Sequence, residues 1–421
     1  MMAEFTLRGS MLAASLLLAA VPARADPPTG SGGATPATQQ PTVGTPAPVQ
    51  GLSFMPDVGV VLRSGDFSLT TWAFAERLFD PSGPDSWRRF RQGAEIDLPR
   101  FGGSNLRPVV FYEFDLVNSD FFRIKPFRRG FENLFVALQD VDDPGKFRIL
   151  IGENTQILSR DDNLSSGNLP TINRSLILEE HGSTNSFGTQ FGIQLQKRMS
   201  DALTLQVSTQ DGRGSLNTDH PRYAIGNSFS AKAILTPKID PKDARKLSLG
   251  LAVDRTGNIT DRSFTLGTAI ALAPIGGVAA TGDRFTVEAD AACTFPLAGH
   301  PTTVEGEFIR SRFSGSRSDV YGGYTMAQYS VFDTPKAGDL DVFARYDLVS
   351  MGSDAITRRA TQQALRTGFN YNLPYANKLA SLHLEYGRTW VNGPAEIVTS
   401  NRPTDEFRIG LRISLQQYVR H

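Results

Sequence analysis

Alternation constrains this chain more than any other feature. The stretch FRIGLRISL, residues 407–415, puts Phe407, Ile409, Leu411, Ile413 and Leu415 at every second position, with Arg408, Gly410, Arg412 and Ser414 between them. A strand sends successive side chains to opposite faces, so one face is apolar and the other carries two guanidiniums. The pattern recurs in FGTQFGIQLQK (187–197), ALTLQVSTQ (202–210) and KLSLGLAVD (246–254). A soluble sandwich also alternates. Two details favour a membrane barrel instead. The polar faces hold Gly, Gln, Ser and Arg, as a wet lumen would. Trp87, Tyr346, Tyr386, Trp390 and Tyr418 lie toward segment ends, where aromatic girdles belong.

Seventeen segments qualify as strands: 66–79, 87–98, 107–117, 131–140, 146–153, 186–197, 201–210, 227–236, 246–255, 262–273, 283–294, 302–312, 321–332, 338–349, 362–373, 378–389 and 404–416. A bacterial barrel has an even number, with both termini on the periplasmic side. Counting from the two ends makes 246–255 run outward and 283–294 run inward. The interval 256–282 is therefore expected to be an external excursion, with SFTLGTAIAL (263–272) a decoration within it. The expected fold is all-β: a transmembrane antiparallel β-barrel of about 16 strands, a size that leaves an aqueous channel. DVDDPG (140–145), RMSD (198–201) and LPYAN (373–377) are the short periplasmic turns. The longer linkers 154–185, 211–226, 256–282 and 390–403 fall outside.

The rest of the chain fits export. MLAASLLLAAV (11–21) follows Arg8 and precedes Ala23-Arg24-Ala25, which reads as a signal peptide over residues 1–25, cleaved after Ala25. Residues 26–50 are rich in Pro, Thr and Gly and read as a flexible linker. The barrel domain is expected over 51–421. Cys293 is the sole cysteine, so no intrachain disulfide forms. Lys plus Arg and Asp plus Glu are equal at 43 each, which offers no support for nucleic-acid binding.

The order of several segments is similar to one family. WRRFRQGAEIDL (87–98), VVFYEFDL (109–116) and FENLFVAL (131–138) resemble the opening strands of the phosphate-selective porins O and P. FRILIGENTQILSRDDNL…INRS (147–175) resembles that family's strand and following loop, with Gly152, Ser159-Arg160-Asp161 and Asn173-Arg174-Ser175 on its motif. Later strands, including TTVEGEFI (302–309), DLDVFARYDLV (339–349) and EFRIGLRIS (406–414), follow in the same order. The resemblance implies a sixteen-stranded, homotrimeric outer-membrane channel whose third external loop, 154–185, folds into the lumen and narrows it. It also implies passage of anions, phosphate or other oxyanions among them. Phosphate-selective members use many lumen lysines; here lysine is scarce and arginine abundant.

Strand parity gives the lumen Arg89, Arg91, Arg148, Arg345, Arg366, Arg408 and Arg412, together with Glu95, Asp97, Glu113, Asp115, Asp341, Asp347 and Glu385. Guanidinium suits oxyanions because its planar fork matches their oxygens. Each of these arginines either meets a permeating solute or pairs with a carboxylate. Arg160 and Arg174 are constriction candidates from their place on the matched motif. Asp161 beside Arg160 can cancel its field, which makes a latch holding the loop to the wall the competing role. Arg123, Lys125, Arg128 and Arg129, in FFRIKPFRRG (121–130), form a basic cluster at the mouth. It would concentrate anions, bind lipopolysaccharide phosphates, or be a solvated loop. The expected partners are outer-membrane lipid and lipopolysaccharide, small anionic solutes, and two further copies of the chain.

No enzyme chemistry is legible. The five histidines are scattered, and no H-E-x-x-H, G-x-S-x-G or P-loop occurs. No cofactor is called for. The reading is a porin; the alternatives are an outer-membrane barrel enzyme, with His383 and Glu385 on one strand face, and a plugged surface-binding or scaffold barrel.

Overall fold

The computed structural model describes residues 51–55, 59–79, 86–115, 131–163, 169–172, 174–178, 189–211, 227–238, 245–264, 278–334, 338–354, 359–373, 380–394 and 402–414. The signal peptide and linker assigned to residues 1–50 lie outside them.

Two short strands come first, β1 (Gly51–Met55) and β2 (Gly59–Ser64). The wall then runs through β3 (Phe67–Phe79), β4 (Ser86–Asp97), β5 (Leu106–Asp115), β6 (Phe131–Asp140), β7 (Phe147–Thr155), β8 (Thr189–Arg198), β9 (Leu203–Gln210) and β10 (Ser228–Leu235). It continues with β11 (Lys246–Phe264), β12 (Val278–Leu297), β13 (His300–Phe313), β14 (Ser318–Thr334), β15 (Gly338–Gly352), β16 (Ala360–Asn372), β17 (Ala380–Asn392) and β18 (Thr404–Ser414). Each strand from β3 onward pairs antiparallel with the next, and β18 pairs with β3, which closes a sixteen-stranded barrel.

Closure uses both ends of the barrel sequence. The end of β18 covers the second half of β3, with Ser414 opposite Phe74. The first half of β3 is covered by β2, with Val60 opposite Thr71 and Ser64 opposite Phe67. One composite strand, made from β18 and β2, therefore completes the ring and leaves β3 no long open edge. Sequence reading placed the first strand at residue 66 and missed β2.

The alternation is inside-out relative to a soluble protein. In β18, Arg408 and Arg412 are buried while Phe407 and Ile413 are exposed. In β6 and β11 the apolar side chains of Val136 and Leu251 are 54 % and 57 % exposed. Lipid is the solvent that suits such a surface. The opposite face is polar and linked by hydrogen bonds: Gln210 Nε2 donates to Asn154 Oδ1 at 2.9 Å, and Asn154 Nδ2 donates to Gln194 Oε1 at 3.1 Å.

The periplasmic turns follow their residues. Asp140 Oδ1 accepts the amides of Asp142 and Asp143 at 3.0 and 3.2 Å, folding the β6–β7 connection. Ala298 and Gly299, with φ of 51° and 84°, make the two-residue turn between β12 and β13, where both central positions need the left-handed region. The 198–201 turn is likewise short, with Met199 N bonded to Leu203 O at 2.8 Å. Of the 373–377 turn, Leu373 alone is described.

One interval differs from expectation. Residues 256–264 and 278–282 are not loop but a continuation of the β11–β12 hairpin, with Ile259 opposite Gly282 and Phe264 opposite Val278. Register shifts between Thr256 and Ile259, and between Ile259 and Arg262, interrupt the pairing. Such irregularities disrupt the two-residue period, so the strand reads as ended when it has only slipped. The supposed separate segment 262–273 begins as the tip of β11, which keeps the count at sixteen; 265–277 lies outside the described residues.

Candidate functional site

The chain between β7 and β8 turns into the lumen. Its start, Gln156 to Ser159, is buried, and Ser159 caps a single helical turn, α1 (Arg160–Asn163), by accepting the Asp162 amide on its Oγ at 3.0 Å. The later segment 169–178 supplies Leu169, Ile172, Leu176, Ile177 and Leu178, all buried. Leu158 and residues 176–178 pack into one apolar cluster with inward residues of the wall, among them Ile309, Val320, Val349 and Met351. The loop is therefore glued to one side of the barrel by apolar burial.

Charges fix its position. Asp161, 1 % exposed, accepts from the Arg345 guanidinium at 3.2 Å and from the Ser175 amide at 2.6 Å. Arg174 Nη1 donates to the Asp161 carbonyl. Burial alone would raise the Asp161 pKa, but the guanidiniums of Arg345 and Arg174 and the Ser175 amide outweigh it and hold the carboxyl below its ordinary range. The loop backbone is held as well. Glu307 accepts the amides of Arg160 and Asp161 at 3.2 and 3.1 Å, Glu385 accepts that of Ile172 at 2.8 Å, and Asp347 accepts that of Leu176 at 3.3 Å. Loop carbonyls take donors from the wall: Leu158 from Lys232 at 2.8 Å, Leu169 from Arg412 at 3.0 Å, and Arg174 from Arg366 at 3.0 Å. Irregular backbone inside a low-dielectric wall needs such partners for each polar group.

The expected lumen arginines thus divide into two sets. Arg345, Arg366 and Arg412 lie under the loop and bond to it; Arg408 lies nearby, 2.7 Å from Glu406 and 3.6 Å from the loop-binding Glu385. Arg89, Arg91 and Arg148 belong to β4 and β7. Arg91 is 2.8 Å from Glu113 and 3.5 Å from Asp115, Arg89 is 3.9 Å from Glu76, and the Arg148 guanidinium lies 4.9 Å above the Phe135 ring. Of the loop's own pair, Arg160 donates to Glu305 at 3.2 Å and Arg174 lies 3.8 Å from Asp162. Arg123, Lys125, Arg128 and Arg129 lie outside the described residues.

Sequence reading missed several lumen groups. Lys232 is buried between Glu288 and Asp290, at 3.2 and 2.7 Å. Arg284, 1 % exposed, donates to Asp254 at 2.7 Å and Thr256 at 2.8 Å. Both follow from the strand parity already in hand, since Lys232 shares a face with Ser228 and Ser230. The aromatic stack Trp72–Phe111–Phe135 on the inner wall was also missed, with ring centroids 5.3 and 4.9 Å apart. Phe111 shares a strand face with Glu113 and Asp115, so the same parity puts it inside. Ser381 and His383 share a 2.8 Å hydrogen bond, but Glu385 is committed to the Ile172 amide and Arg408, so the three do not form a relay. Among the described residues no cluster of His, Cys, Asp and Glu has the arrangement of a metal site.

The model of the family described as phosphate-selective porin O and P matches residues 118–389. The chain belongs to that family. Direct comparison with curated proteins gave no match. Solved structures share the fold at low identity. In-vitro folded OmpT, an outer-membrane protein of Vibrio cholerae, aligns with a TM-score of 0.54 at 12 % identity, over 84 % of this chain and 99 % of that one. OprB of Pseudomonas putida aligns with a TM-score of 0.54 at 10 % identity, over 83 % and 94 %. The outer-membrane channel DcaP of Acinetobacter baumannii aligns with a TM-score of 0.50 at 12 % identity, over 84 % and 98 %. This porin is an outer-membrane channel for small solutes, and its lumen is strapped by the chain that follows β7.

Proposed function

We propose that this porin passes small hydrophilic anions by passive diffusion, oxyanions such as phosphate among them, and that the strap, described at residues 156–163, 169–172 and 174–178, limits their size. One observation carries the sign. At the strap, the Arg160 and Arg174 side chains are 24 % and 20 % exposed, while their carboxylate partners Glu305 and Asp162 are 6 % and 12 % exposed. In both pairs the guanidinium is the more exposed partner. A passing anion meets positive tips in a confined, partly desolvated path, where field lines are focused. Pairing to Glu305 keeps Arg160 from binding an anion so tightly that it cannot leave.

In this reading no covalent step occurs, so the barrel-enzyme alternative is set aside. The working unit is a trimer; a trimer form of OmpT is among the structures with this fold. Lipid contacts the exposed aliphatic rows.

The test is the zero-current potential of purified protein in a planar bilayer under a potassium chloride gradient. The wild type is expected to show an anion-preferring potential. Arg160→Ala with Arg174→Ala is expected to shift it toward zero, with the larger effect at low salt, where screening is weaker. A cation-preferring wild type, or a potential untouched by the double substitution, contradicts the proposal.

A further inference from the structure

We infer that the outer ends of β11–β14 carry, on their lipid-facing side, a binding site for the phosphorylated headgroup of an outer-leaflet glycolipid. Cross-strand register defines the place. Leu251, Ala289 and Phe308 form one outward row through successive pairs, and it is wholly apolar. The row two residues closer to the exterior is Val253, Val287, Arg310 and Tyr321. The next is Arg255, Phe285, Arg312 and Asp319. Within two rows the outer surface passes from aliphatic to guanidinium-rich, which is the change a chain undergoes where acyl tails give way to headgroups.

The guanidiniums outnumber the acids they meet. Asp319 alone faces three: Arg310 at 2.9 Å, Arg359 at 3.2 Å and Arg312 at 3.9 Å. Arg255 lies 3.1 Å from Asp283. The Arg255 and Arg312 side chains remain 73 % and 66 % exposed despite these pairings. Exposed ion pairs of this kind are weak, so their arginines can exchange a carboxylate for a phosphate at little cost. Phosphate takes the arginine fork in two parallel hydrogen bonds and brings more charge than a carboxylate. A cavity of about 540 Å³ opens across this rim, lined by Arg255, Phe285, Arg312 and Asp319 from the outer rows and by Arg284, Phe313 and Ser318 from the buried face. Phe285, 52 % exposed between two arginines, offers an apolar contact beside the charge. A headgroup whose phosphates sit directly above acyl chains matches the vertical order of these rows; a free anion would use the arginines but leave the aromatic and aliphatic rows unexplained.

Arg255 and Arg312 lie on outward rows and are 73 % and 66 % exposed, so substituting them is separable from the lumen and from any solute preference. The test is native mass spectrometry of the folded, detergent-solubilised protein with bis-phosphorylated lipid A and with the same lipid stripped of phosphate. Wild type is expected to retain the phosphorylated form preferentially. Arg255→Glu with Arg312→Glu is expected to weaken that retention roughly tenfold or more, while single-channel conductance stays unchanged as proof of folding. Arg312→Lys, which keeps the charge, is expected to retain most of the binding. Equal retention of both lipids by wild type overturns the inference, as does undiminished preference in the double variant. It is also overturned if millimolar inorganic phosphate displaces the lipid, or if the double variant changes the number of protomers but not the lipid preference.

Discussion

Asp161 is the residue on which the strap turns. Replacing it with Asn leaves the buried Arg345 guanidinium with one carboxylate, Asp347 at 3.1 Å, where it had two, a change expected to cost less than the about 3–5 kcal/mol of a fully unpaired buried charge. The expected result is faster amide hydrogen exchange over residues 170–178, with the wall strands unaffected. Acid should do the same. The folded-state pKa of Asp161 lies below its unfolded value, so its stabilisation is complete above about pH 4, the ordinary Asp value. It is lost as pH falls through the lower, folded-state pKa. Protection of the amides at 170–172 and 174–178, taken relative to their intrinsic exchange rates at each pH, should therefore fall below about pH 4 in wild type, while Asp161→Asn shows no such acid step from this group. A second residue tests the wall itself. Gly93 lies opposite Trp72, and a Cβ there would be driven into the indole. Gly93→Ala is expected to cost roughly 1–3 kcal/mol through displacement of that ring, seen as a lower midpoint of heat-induced unfolding. At this scale much was legible. Parity alone placed Arg345, Arg366, Arg408 and Arg412 on the inner face. It could not tell that three of them bond to the strap, because the partners are carbonyls and carboxylates 184 to 243 residues away in sequence.

At the scale of elements, closure is the point most open to test. The five pairs between β2 and β3 fill the ring where β18 has ended. A chain lacking residues up to Ser64 is expected to insert but to unfold at a lower temperature, since residues 67–71 of β3 become an open edge within the membrane. An unchanged unfolding midpoint by heat-shifted electrophoretic mobility would show that β2 contributes nothing to closure. This element was hidden in the sequence because GVVLRS is short and half apolar, with no alternating run of its own. The strands of the wall other than β11 and β12 were visible, each within a few residues of its observed bounds, because each is long and wet on one face only. The β11–β12 extension was misread as loop for the opposite reason: two register shifts scrambled the period beyond residue 256.

The barrel formed by the described residues is a cylinder whose outer surface suits lipid and whose inner surface is charged, hydrogen-bonded and narrowed by one chain segment. The strand count and the order of motifs made that architecture legible from sequence. The strap's path was not legible from its residues, since Leu169, Ile172 and Leu176–Leu178 read equally as an ordinary buried segment until the wall they touch is known; only the family resemblance pointed into the lumen. The most direct measurement is the single-channel current of the purified protein in a planar bilayer, for wild type and for Asp161→Asn. A water-filled lumen limited by a latched strap predicts discrete, nearly ohmic steps in wild type, and larger or more variable steps once the latch is cut. A wild-type protein that inserts and stays closed at every voltage, or an Asp161→Asn step of unchanged size and steadiness, would contradict it.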